Sequence, residues 1–184
     1  MVTLSEFLKE LENENLNMES LPEELVKALK AKGLKIATAE SCTGGLISKM
    51  ITDVSGASEV FDCGVCSYAN EIKEKLLSVS VDDLKSKGAV SKEVAMQMAE
   101  GVREISGADI GISTTGIAGP TGGTDTKPVG TVYIGVSTIS KNYYVLANLA
   151  VDGVAKNATR DKIRQFAALL AIYCGFKEAK AENY

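Results

Sequence analysis

Residues 34–51 read LKIATAESCTGGLISKMI, and this stretch decides the fold. An apolar run from Leu34 to Ala37 has the length and composition of a buried strand. Ala39-Glu40-Ser41-Cys42-Thr43-Gly44-Gly45 then turns through hydroxyls and glycines into a helical pattern carried by Leu46, Ile47, Met50 and Ile51. A strand that turns sharply into a helix brings backbone N–H groups, the positive end of a helix dipole and a possible nucleophile to one place. The chemistry is expected there.

Outward from this unit the chain alternates strands and helices. Upstream, Leu4, Phe7, Leu8 and Leu11 mark a short amphipathic helix, and the polar segment 12–19 reads as a linker. A second helix starts with Ser20 as N-cap, Pro22 in the first turn and Glu23 at the capping-box position, and it stops at Gly33. Downstream follow a strand over 60–68, helices over 70–77 and 80–86, and a long helix capped by Ser91 that ends at Gly107. A third strand over 109–115 leads into a glycine-rich loop, 116–128. Segments 129–139 and 143–151 form an antiparallel hairpin, and a helix from about Ala155 to Tyr173 closes the chain. The pattern predicts an α/β fold: a three-layer α/β/α sandwich on a mixed, mostly parallel sheet with a late antiparallel hairpin. The expected organisation is one domain, 20–184, behind an N-terminal extension, 1–19.

Composition narrows the function. The chain has 184 residues, 45% hydrophobic and 24% charged, enough for one sizeable core. No apolar run approaches the roughly 18 residues of a membrane span, and the acidic N-terminus is unlike a signal peptide, so a cytoplasmic protein without membrane contact is expected. A net charge of −4 argues against nucleic acid as a partner. Histidine is absent, so a general base must be Lys, Asp, Glu, Tyr or water, and neither Ser-His-Asp catalysis nor a histidine metal site is available. Of the four cysteines, Cys63 and Cys66 have metal-ligand spacing, but three residues apart on a strand they point to opposite faces. Buried reduced thiols are expected, with no metal and no cofactor.

The residues themselves leave alternatives open. Ser41 is placed to act as a nucleophile, yet Ser41 or Thr43 would equally serve as a helix cap. Lys73, near the start of the helix that Asn70 opens, has the setting of a base with a lowered pKa, yet most lysines of this kind are solvated. The loop containing Gly116 and Gly119 can approach an anion closely, or can be a plain turn. Arg160 and Arg164, four residues apart, share a helix face and can grip a phosphate or pair with Asp161 or Glu178. Glu40 can position the lysine or a water, or can tie backbone N–H groups.

Four blocks of sequence carry a resemblance: Ala39 to Gly45, Ser67-Tyr68-Ala69-Asn70-Glu71-Ile72-Lys73, Gly88-Ala89-Val90-Ser91, and Gly116-Ile117-Ala118-Gly119-Pro120-Thr121-Gly122-Gly123. In this order, over about 22–170, they resemble the CinA C-terminal domain family, whose enzymes are nicotinamide-nucleotide amidohydrolases (NMN deamidases). The resemblance implies hydrolysis of the carboxamide of nicotinamide mononucleotide (NMN), with Ser41 as nucleophile and Lys73 with Tyr68 as base. N–H groups near Thr43 and Gly44 would hold the oxyanion, with Glu40 and Gly45 among the substrate-binding residues. Thr115, Gly116, Gly119 and Arg160, with Arg164 as the second candidate, would hold the nucleotide. Arg160 departs from the family pattern, since Ala158-Thr159 precede it in place of Gly-Asp. The resemblance also implies a homodimer, for which the apolar stripe of the first helix is a candidate surface. A nucleotide-binding module without turnover, or an interaction module of the competence and DNA-damage type, is the alternative.

Overall fold

The computed structural model describes residues 1–149 and 159–181. The described strands form one sheet in the order β1-β6-β5-β4-β2-β3. They are β1 (Val2–Thr3), β2 (Ile36–Glu40), β3 (Phe61–Cys66), β4 (Ile110–Gly116), β5 (Thr131–Ser137) and β6 (Asn142–Asn148). β3, β2 and β4 are parallel, β5 is antiparallel to both β4 and β6, and β1 joins β6 in parallel. The helices are α1 (Leu4–Asn13), α2 (Leu21–Lys32), α3 (Leu46–Thr52), α4 (Asn70–Leu77), α5 (Val81–Ser86), α6 (Lys92–Ser106) and α7 (Arg160–Lys180). The α/β sandwich read from the sequence is the architecture found.

Strand alternation assigns the layers. Ile36 of β2 packs into a large core with residues of α1, α2, α3 and α7, whereas its neighbours Ala37 and Ala39 face a smaller core with Leu77, Val94, Met98 and Val102 of α4 and α6. Side chains along a strand point alternately to the two faces, so the small Ala residues serve the side where α6 lies close. That closeness has a sequence cause. A Cβ on Gly111 would sit 2.1 Å from the carbonyl oxygen of Ala99, and one on Gly135 2.1 Å from that of Ala95. Only glycine lets the α6 backbone rest on β4 and β5.

The first residues pack against the rest of the chain. Thr3 caps α1 with a full capping box to Glu6, and Leu4, Phe7 and Leu11 are buried in the main core. The α1 stripe that was a candidate dimer surface is therefore covered by the chain itself. Phe7 packs on Tyr173 of α7 with ring centroids 5.5 Å apart. Glu14, just past α1, accepts from the Tyr173 hydroxyl at 2.9 Å and from Lys177 at 2.7 Å. Ser20 makes no side-chain cap to α2; instead Asn17 Oδ1 accepts from the N–H groups of Glu19 and Ser20. The end of the hairpin beyond Leu149, the approach 152–156 and the start of the last helix before Thr159 lie outside the described residues.

Candidate active site

The connection after β2 goes through α3 on the α7 side of the sheet, and the connection after β3 goes through α4 on the α6 side. Where successive connections leave to opposite faces, the carboxyl ends of parallel strands frame a crevice that side chains do not fill. Backbone bonds join the three strand ends there: Ser41 N–H donates to Thr114 O at 3.0 Å, and Ser67 N–H to Glu40 O at 2.9 Å. A cavity of about 220 Å³ opens at this point, lined by Ser41, Cys42, Tyr68, Lys73, Ala89, Val90, Thr115, Gly116, Ala118 and Arg160. A larger groove of about 800 Å³ lies elsewhere, among α2, α3 and α7, and holds none of the candidate catalytic groups. Convergent polar chemistry, not size, makes the smaller cavity the candidate site.

Lys73 is its centre. The side chain is 1% exposed, and Nζ donates to the carbonyl oxygens of Ser67 at 2.6 Å and Tyr68 at 3.3 Å and lies 3.2 Å from Ser41 Oγ. None of these partners is a carboxylate. Desolvation penalises the ammonium and lowers the lysine pKa from its ordinary 10.5, with the neighbouring Cys42 opposing weakly. A neutral amine keeps two N–H groups and one lone pair. Two carbonyls can occupy the N–H groups, which leaves the lone pair for the Ser41 hydroxyl.

Glu40 does not reach this cavity. Fully buried, its carboxylate accepts from the N–H groups of Gly45, Ile47 and Ser48 at 2.9, 3.1 and 2.8 Å and from Ser48 Oγ at 2.7 Å. It therefore caps α3, and three N–H groups at the helix start expected to face Ser41 are occupied. Gly45 is committed to this cap and cannot serve an oxyanion. Among the described residues, the N–H groups of Thr43 and Gly44, in the turn itself, donate to no other residue, whereas the Cys42 N–H lies against its own thiol. The Thr43 hydroxyl is buried against that of Thr114 at 2.7 Å. Burial pushes the Cys42 thiol up to about 12, so it is an inert wall.

Tyr68 and Arg160 form the mouth. Tyr68 is 66% exposed, and its hydroxyl accepts from Arg160 Nη2 at 3.0 Å, while Arg160 Nη1 donates to Gly119 O at 2.8 Å. The phenol is thus held at the rim and is not bonded to Lys73, whose contact is with the Tyr68 backbone. Arg164 is set apart from the mouth: its Nη2 donates to Thr43 O at 2.7 Å and braces the serine turn. Neither arginine pairs with Asp161 or Glu178, which hold Gln165 and Tyr143 instead.

The glycine-rich loop is folded against Val129, which a Cβ on Gly119 would meet at 2.6 Å and one on Gly123 at 2.8 Å. Thr115 lines the cavity with its hydroxyl bonded to Ala89 O at 2.7 Å. Lys127 was not among the sequence candidates, yet its Nζ donates to Lys87 O at 3.0 Å and Val90 O at 2.7 Å and ties the loop to the opposite wall. The positive residue just before Pro128 was the available signal. Cys63 and Cys66 lie on opposite faces of β3, Cys63 packing against the α6 core and Cys66 beside Gly45.

The family model described as the CinA C-terminal domain matches residues 18–174. A competence-damage inducible protein of Thermoanaerobacter pseudethanolicus is 51% identical over 84% of this chain and 36% of its own length. A CinA-like protein of Kosmotoga olearia is 49% identical over 84% of this chain and 36% of its own. The chain thus spans about a third of these relatives. Among solved structures, the competence/damage inducible protein CihA of Agrobacterium tumefaciens superposes with a TM-score of 0.80 at 34% identity, covering 85% of this chain and 92% of that one. A CinA superfamily protein of Klebsiella pneumoniae gives 0.81 at 28% identity, covering 89% and 98%.

Proposed function

The chain belongs to the CinA C-terminal domain family, and on that premise we propose that it hydrolyses the carboxamide of NMN to nicotinic acid mononucleotide and ammonia. The observation that carries this reading is the 3.2 Å contact between Ser41 Oγ and a buried Lys73 without a carboxylate partner. A serine hydroxyl becomes a competent nucleophile only beside a base, and in a chain without histidine a desolvated lysine supplies one.

Lys73 takes the proton of Ser41 as Oγ bonds to the amide carbon, and the oxygen that gains charge turns to the N–H groups of Thr43 and Gly44. The Lys73 ammonium then gives its proton to the amide nitrogen, the carbon–nitrogen bond breaks, and ammonia leaves an ester on Ser41. Water enters, loses a proton to Lys73 and attacks the ester, and Ser41 departs with that proton. Every proton transfer is made by a lysine whose carbonyl contacts keep it aimed at Oγ. Arg160 grips the phosphate at the mouth, and Tyr68 flanks the ring. No metal or organic cofactor enters any step.

An ammonia-release assay with NMN beside free nicotinamide tests the reading. Turnover of NMN well above that of nicotinamide is expected. Binding of NMN without ammonia would instead indicate a nucleotide-binding module.

A further inference from the structure

The hydrolysis uses Lys73 only as a base, although its setting suits a second chemistry. Nζ faces the cavity beside Ser41, the side chain is screened from bulk water, and Arg160 stands at the mouth of the same cavity. Desolvation favours the neutral amine, and a neutral amine is a nucleophile toward carbonyl carbon. Among the described residues, Arg160 uses two N–H groups, on Gly119 O and the Tyr68 hydroxyl, out of the five a guanidinium carries. The rest can serve an anion.

We propose that Lys73 is also a carbonyl-capture site, at which a short aldehyde carrying a phosphate condenses with Nζ to a reversible imine while Arg160 holds its anion. The Nζ lone pair bonds to the aldehyde carbon as one of the two Nζ protons passes, through solvent water, to the carbonyl oxygen and gives a carbinolamine. The second Nζ proton passes to the hydroxyl, which leaves as water as the carbon–nitrogen double bond closes. No electrons are exchanged, and water reverses the step. A three-carbon phosphoaldehyde suits a cavity of about 220 Å³. Once captured it covers Ser41, so this ligand class would compete with the amide substrate. The anion contact rests on the same use of Arg160 as the function proposed above, whereas the covalent bond requires Lys73 alone.

The test incubates the full chain with glyceraldehyde 3-phosphate near neutral pH, reduces with sodium borohydride and maps the label by peptide mass spectrometry. Lys73 should carry it in preference to every surface lysine by at least about tenfold, because those amines are protonated. Ser41→Ala should label at least as well as the parent, since the hydroxyl that faces Nζ is gone; a hemiacetal on Ser41 would not survive as a reduced adduct. In Arg160→Ala the preference for glyceraldehyde 3-phosphate over glyceraldehyde should fall by about ten- to a hundredfold. Label confined to surface lysines, or loss of the Lys73 label in a folded Ser41→Ala chain, overturns the capture; an unchanged preference in Arg160→Ala overturns the anion contact. Labelling of Lys73 by a chain that does not turn over NMN would refute the hydrolysis and keep the capture, and NMN turnover without labelling would do the reverse.

Discussion

Replacing Glu40 with Gln changes one heavy atom and should destabilise the fold by about 1–4 kcal/mol. Each carboxylate oxygen accepts two bonds: Oε2 from Gly45 and Ile47, and Oε1 from Ser48 N–H and Ser48 Oγ. The better amide orientation puts its oxygen at the Oε2 position and keeps that pair. Its NH₂ then donates to Ser48 Oγ, which rotates to accept, but it confronts the Ser48 N–H donor to donor. One buried N–H is left unpaired, at about 1–3 kcal/mol, and the negative charge at the α3 start is lost, at about 0.3–1 kcal/mol or somewhat more where buried. The opposite orientation forfeits two N–H partners and is worse. Urea unfolding followed by circular dichroism would read the loss as a lower midpoint with an unchanged slope. The same turn carries Ser41, so turnover should fall with stability. A change below about 0.5 kcal/mol, the scale of neutral surface substitutions, would refute the assignment of Glu40 as the cap.

Lys73→Met should remove a pH dependence of stability. The folded-state lysine pKa lies below 10.5, so between that lowered value and 10.5 the unfolded chain binds more protons and parent stability rises with pH. Urea melts across this window should show the advantage of Met shrinking as pH rises, and a constant difference would contradict the desolvated lysine. Arg160→Ala should weaken NMN binding by about ten- to a hundredfold while sparing the dephosphorylated riboside, as calorimetry with both ligands would show; an equal loss for both would make Arg160 structural. Lys127→Met should raise KM for NMN with kcat nearly constant, because it frees the Val90 wall without touching Ser41, and Lys127→Arg should recover part of the loss in steady-state kinetics.

What the sequence made legible followed from local rules. Leu34 to Ile51 shows strand, turn and helix because apolar run, glycines and helical periodicity fall in sequence, and Gly33 and Gly107 do stop their helices in the left-handed conformation. The meeting of Ser41 with Lys73 was reached through the family's motif, since no local rule connects residues 32 apart. Other features depend on partners distant in sequence. Glu40 chooses the helix cap over the cavity because three N–H groups and a hydroxyl await it. α1 is a core element because Tyr173 and Lys177 come around to meet it from α7. A two-residue strand such as Val2–Thr3 has no period to read. Lys127 reaches across to Lys87 and Val90 through a fold that brings the loops together, and its place before Pro128 marks a cation in the loop without naming these partners.

Ammonia release from NMN by Ser41→Ala, measured beside the parent with acid-quenched mass spectrometry of both, decides whether Ser41 is the nucleophile. The parent should release ammonia and carry a transient acyl adduct on the peptide containing Ser41. The variant, still folded and still binding NMN, should lose at least about a thousandfold in rate, on the scale seen when a catalytic nucleophile is removed. Release by Ser41→Ala at a rate close to the parent would contradict the acyl-enzyme and leave a water activated by Lys73 in its place.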